Sequence, residues 1–183
     1  VSRLQMKTPV ALTFMLFALT LGCSMSHDSG DVSAHDPWVI RTFKDRPELW
    51  ASLKQRISAP VGSYGFLANV KYVEDPKYYG LSDIDLVHAL PADYPGGFVF
   101  AATGETSPDD EDIVTLHYFY PNSTNAADYD RPPSAVPADE LQSVRHLPHV
   151  VQELENNLSI ANIDMEDVHN GVPADGIYRG IDL

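Results

Sequence analysis

The densest run of chemically capable side chains is Glu155-Asn156-Asn157-Leu158-Ser159-Ile160-Ala161-Asn162-Ile163-Asp164. Acids, amides and a hydroxyl this close together can donate to, accept from and orient a polar ligand. On a helix, at about 100° per residue, Glu155 and Asn157 flank the apolar stripe that holds Leu154 and Leu158, and Asn156 points away from it. An amide beside a core must find partners, because an orphaned one costs about 1–3 kcal/mol. Asn157 is therefore expected to pin a neighbouring loop. Asn162 and Asp164 are expected to serve a helix junction, where Asn and Asp bond the local backbone. The same residues are also the first candidates for a ligand site.

A second candidate set comes from strand ends. Open sheets with crossover helices bind ligands outside the carboxyl ends of their parallel strands. Here those ends carry Arg41, Glu74, Asp75 and Glu105. A guanidinium beside a carboxylate either fixes a polar ligand or closes an internal salt bridge, and a half-buried arginine needs such a partner in any case. Hydrolase-like acid/base chemistry would draw on Asp75, Glu155 or Asp164, with Arg41 or Arg179 holding an anionic substrate group. No nucleophile elbow, phosphate-binding glycine loop or dinucleotide fingerprint occurs. His146 and His149 flank Pro148 without a third ligand, so no metal site is expected. Asp109-Asp110-Glu111-Asp112 lacks the alternating ligands and central glycine of a calcium loop. No cofactor is implied.

The Glu155–Asp164 run and the later Asp175-Gly176-Ile177-Tyr178-Arg179-Gly180 resemble the C-terminal signature of an uncharacterised family, a domain of unknown function found in actinobacterial and fungal proteins. Ile40-Arg41-Thr42 and Val73-Glu74-Asp75-Pro76-Lys77-Tyr78-Tyr79-Gly80-Leu81 are similar to the same pattern. The likeness runs from about Trp38 to Gly180 and is weakest between Gly104 and Arg145. It departs at Phe43, where the pattern has an acid, and at Met165, where it has an aromatic. The resemblance implies domain limits. With no activity assigned to the family, it implies no function.

These residues need elements to hold them. Trp38–Thr42 and Phe66–Val73 read as strands, and Phe98–Ala102 reads as one covered on both faces. Val114–Tyr120 reads as a fourth strand, paired antiparallel to the third. Asp45-Arg46-Pro47-Glu48 offers a cap, an early proline and a glutamate at cap-box spacing, so a helix carrying Leu49, Trp50, Leu53 and Ile57 should start there. A second helix starts at Ser82. Leu147, Val151, Leu154, Leu158 and Ala161 form one helical stripe, and Asp164 caps a last short helix that stops at Asn170-Gly171. The expected fold is a single α/β domain, residues 37–183, with a small, partly parallel mixed sheet of about four strands and helices packed on it. Phe100 and Leu158 should be fully buried.

The leader looks like a targeting signal. Lys7 precedes Val10–Gly22, an apolar run too short to span a bilayer and suited to a signal peptide. Residues 1–23 are therefore read as the signal, and Cys23, which directly follows Gly22, is the lipidation candidate of a bacterial lipoprotein. Residues 24–36 form a flexible tether. The protein is expected outside the cytoplasm, secreted or lipid-anchored at the cell envelope, and Cys23 would be its link to the membrane. In a eukaryote, Asn122 would be a usable glycosylation acceptor. With 183 residues and 44% hydrophobic composition the chain supports one real core. A net charge of −14 excludes nucleic acid as a partner. The single cysteine leaves the domain without an intrachain disulfide. The reading that follows is an exported, non-enzymatic module that binds a protein or a small polar ligand. The hydrolase described above is the alternative.

Overall fold

β-Branched and aromatic side chains concentrate where the sheet forms. A computed structural model describes residues 36–120 and 130–180, which belong to one compact unit. Cys23, the tether up to residue 35 and Asn122 lie outside the described residues. Six strands form one mixed sheet: β1 (Trp38–Arg41), β2 (Lys71–Val73), β3 (Phe98–Thr106), β4 (Asp112–Tyr118), β5 (Gln142–His146) and β6 (Ile177–Tyr178), in the order β2-β1-β3-β4-β5-β6. β1 runs parallel to β2 and β3, β3-β4-β5 is an antiparallel meander, and β6 lies parallel to β5. The mixed α/β architecture is as the sequence implies, but the sheet has six strands rather than about four.

Among the described residues, four α-helices accompany it: α1 (Pro47–Ile57), α2 (Asp83–His88), α3 (Val151–Ser159) and α4 (Met165–Asn170). Strand alternation divides the core in two. Val39, Phe100, Leu116 and Val144 point to the face packed by Leu53 of α1, Leu154 and Leu158 of α3 and Val168 of α4. Ile40, Val99 and Ala101 point to the other face, under Leu86 and Val87 of α2 and under Tyr78, Tyr94 and Phe119. Phe100 and Leu158 are both buried. Phe98 and Phe100 also meet edge-to-face at 5.8 Å, the arrangement aromatic quadrupoles favour.

Local details differ from expectation. The N-cap of α1 is Arg46, held in the left-handed region at φ 66° with no side-chain cap, rather than Asp45. The segment expected as a long second strand pairs only over Lys71–Val73. Its first residue, Phe66, instead bridges to Val61 across a tight turn. The registers Trp38↔Lys71 and Phe98↔Tyr118 bring the starts of β1, β2 and β3 and the end of β4 to one edge of the sheet. The described chain also enters there, at Asp36, and Lys71 N–H donates to Pro37 O at 3.0 Å. This is the entry edge. Arg41, Thr106 and Asp112 mark the opposite one.

Candidate functional site

α3 ends in a Schellman turn. Asn162 N–H donates to Asn157 O at 2.8 Å, and Ala161 N–H donates to Leu158 O at 3.2 Å. Ala161 takes the left-handed position at φ 53°, where glycine is the usual residue. The two positions that ordinarily make an apolar contact across this motif are Asn157 and Asn162. Here an amide pair replaces that contact: Asn162 Nδ2 donates to Asn157 Oδ1 at 2.7 Å, and Asn157 Nδ2 donates to Glu153 O at 2.8 Å. Asp164 then caps α4 in a reciprocal box with Asp167: each carboxylate accepts the other's backbone N–H, at 3.0 and 3.1 Å. The corner is therefore held by its own hydrogen bonds.

Opposite this corner stands the end of β4. Tyr118-Phe119-Tyr120 alternates, so Phe119 enters the core on the α2 face and the two tyrosines form a wall, with ring centroids 5.7 Å apart and planes at 51°. Gly97 makes room for Tyr120, because a Cβ there would overlap its ring. Phe119 N–H donates to Gly97 O at 2.7 Å and ties the same two segments. Between wall and corner lies an open groove of about 420 Å³, with Tyr118, Tyr120, Leu158, Ile163, Asn162 and Asp164 among its lining. That is within the range of small-ligand sites, roughly 300–1,000 Å³. The tyrosines and Gly97 were not among the sequence candidates. The alternation of aromatics at a strand end was the signal that could have found them.

The remaining candidates lie elsewhere. Arg41 is buried, pairs with Glu74, and donates to Phe43 O at 2.9 Å, Lys44 O at 2.7 Å and Asp45 O at 3.2 Å. Its guanidinium also lies 4.9 Å from the Phe43 ring. This arginine organises the loop after β1. Asp75, next to Glu74, caps a 3₁₀ turn by accepting from Lys77 N–H at 3.0 Å. Both sit at the edge opposite the groove. Arg179 forks onto Asp175 at 2.6 and 3.1 Å and holds Asp175 below the usual carboxylate range.

Glu155 and Asn156 serve one loop. Glu155 is buried and accepts from Asn69 N–H at 3.0 Å, and burial pushes its carboxyl up. Asn156 does not point away: its Nδ2 donates to Gln152 O at 2.8 Å and to Leu67 O at 3.3 Å. The loop that Asn157 was expected to pin is pinned by Glu155 and Asn156 instead. The helical wheel measured angles against the sheet core, and the loop packs on a different side of α3.

The sequence reading also missed a Ser-His-Asp grouping. Exposed Ser143 Oγ lies 2.9 Å from Nδ1 of buried His117, and Asp83 Oδ2 lies 3.9 Å from the same nitrogen. A catalytic triad uses opposite ring nitrogens for nucleophile and acid. Sharing Nδ1 makes this a polar clasp between β4, β5 and α2. His146, wholly buried, donates from Nδ1 to Leu147 O at 2.9 Å, and burial lowers it to about 4.

Sheet and groove together define a mixed α/β domain with a polar, aromatic-walled cleft at one sheet edge. The family model for a domain of unknown function, DUF6924, matches residues 36–181, and the chain belongs to that family. No curated protein and no solved structure matches it.

Proposed function

We propose that this is a non-enzymatic binding module of an exported protein, and that its groove takes a small, neutral, hydroxyl-rich ligand such as a saccharide. One observation carries the reading: a tyrosine pair faces an amide and carboxylate corner across a cleft of about 420 Å³. Aromatic faces receive the C–H face of a sugar ring, and Asn162, Asp164 and Asp167 offer donors and acceptors for hydroxyls. The net charge of −14 weighs against an anionic ligand. A glycosidase uses two carboxylates that flank the scissile bond, whereas the two in this cleft, Asp164 and Asp167, lie side by side and accept each other's backbone N–H in the capping box. Asp75 stands at the sheet edge opposite Asp164, and Glu155 is engaged by the backbone of Asn69. Secretion with or without acylation at Cys23 remains part of this reading, carried by the leader.

The test is an NMR titration of isotope-labelled protein with neutral mono- and disaccharides. Shifts should gather on Tyr118, Tyr120, Asn162 and Asp164, and Tyr118→Ala should weaken binding about tenfold, the loss of one stacked ring. Sugars that shift no groove resonance at millimolar concentration overturn the assignment. Release of reducing ends would restore the hydrolase.

A further inference from the structure

At the entry edge, ahead of β2, the chain leaves α1 and folds back on itself. Val61 and Phe66 exchange backbone hydrogen bonds at 2.8 and 2.9 Å around Gly62-Ser63-Tyr64-Gly65, and both glycines take positive φ, 70° and 68°. The turn is therefore tight and shaped, and it projects apolar side chains into solvent: Tyr64 is 86% exposed, Phe66 56% and Leu67 52%. The Tyr64 and Phe66 rings stand 5.9 Å apart. Asn156 and Glu155 clasp the base of this hairpin to α3, at Leu67 O and Asn69 N–H. Ile160, one helical turn beyond Asn156 on the same side of α3, is 73% exposed. Isolated exposed apolar residues are ordinary, but a cluster on a constrained tip marks a contact surface.

We propose that this hairpin, with Ile160 beside it, dips into the interfacial region of a lipid bilayer and seats the domain on a membrane. Three observations choose lipid over other occupants. First, residues 57–70 carry no charge in a chain with 26 acids, and Arg56 and Lys71 bound them, with Lys54 close before. An uncharged aromatic tip with cations at its base matches the apolar and headgroup layers in turn. Second, the described chain enters at this edge, and only twelve residues, 24–35, separate it from Cys23. Extended, they reach at most about 45 Å, so a chain held at a membrane by its leader or by an acylated Cys23 keeps this edge within reach of it. Third, a stable dimer buries roughly 800 Å² per partner, more than four side chains on a narrow tip supply. A single weak anchor binds membranes reversibly, and a second contact makes attachment lasting. The inference goes beyond the saccharide reading, because the hairpin contributes nothing to the groove.

The experiment uses the full chain with phosphatidylcholine vesicles. A Tyr64→Trp variant should gain emission that shifts to the blue and is quenched by brominated lipid. An Asp109→Trp variant, at the opposite edge, should not be quenched. Combined Tyr64→Ser and Phe66→Ser changes should lower vesicle partitioning at least tenfold, since burying one such side chain is already worth about that, with melting and sugar binding unchanged. Three outcomes overturn the proposal: a chain that sediments with vesicles while position 64 stays unquenched, which leaves the leader as the only contact; partitioning unaffected by the serine changes; or a parent dimer that Phe66→Ser converts to monomer, which assigns the tip to a second copy.

Discussion

At the scale of single residues, Asn157 and Asn162 replace an apolar contact with a directional one, and the replacement fixes where the groove's amide sits. Each alanine substitution should lower stability by about 1 kcal/mol. The double variant should fall short of the sum by roughly 0.5–1 kcal/mol, since both lose one shared bond. Urea titrations of the four proteins give the coupling, and strict additivity would show that the pair is incidental. Arg41 makes a different point. Its fork meets a carboxylate and three carbonyls at once, a geometry that an ammonium on a flexible stem cannot reproduce. Arg41→Lys should therefore cost about 1–3 kcal/mol despite keeping the charge, read as a lower urea midpoint. An unchanged midpoint would refute the loop-organising role. The need of Arg41 for an acid was legible in the sequence, but its carbonyl partners were not, because backbone acceptors carry no residue label. Asn156 was misread for a related reason: no spacing along α3 announces a loop 89 residues away in sequence.

At the scale of elements, what could be read followed from periodicity and what could not followed from tertiary closure. The buried set of α1 is Leu49, Trp50, Leu53 and Ile57, and Ser82 and Asp164 cap their helices, all as local chemistry dictates. β5 was hidden because His146 occupies an inward position where an apolar residue is usual, and β6 because two residues leave no pattern. Arg46 caps α1 without a side-chain bond because the Arg41 fork already holds the backbone of Lys44 and Asp45. The turn after α3 invites a substitution. Ala161→Gly should relieve a left-handed alanine, worth about 1–2 kcal/mol, against the glycine's greater unfolded entropy. The net expectation is a gain of roughly 0.5–1 kcal/mol, visible as a raised melting temperature, and a loss would mean that the Schellman geometry is not strained. Gly97→Ala works through the other wall. It leaves the chemistry of the other groove side chains in place but displaces Tyr120, so it should weaken saccharide binding while Tyr118 resonances move little. Unchanged affinity would remove Tyr120 from the site.

At the scale of the molecule, acid should be the condition that undoes the fold. Burial lowers His146 to about 4, from an ordinary value of 6.5. Between those values the unfolded chain takes up a proton that the folded one refuses, so stability present above pH 6.5 is lost as pH falls toward 4. That difference amounts to about 3 kcal/mol. His117, also lowered by burial, acts in the same sense, whereas Glu155, raised by burial, offsets part of the loss. Urea midpoints measured from pH 7.5 to 4 should fall steadily, and His146→Leu should flatten the curve; a parent curve without slope in that window contradicts the burial argument. The sheet's outline bears on another hazard of folded chains, polymerisation by strand addition. Its two borders are β2, three residues long, and β6, two residues long. Borders that short give an incoming strand too few free N–H and C=O groups to template on. The long, apolar β3 that would seed a fibril is enclosed between β1 and β4. A domain with no disulfide to lock it thus guards against fibres by keeping its stickiest strand in the middle.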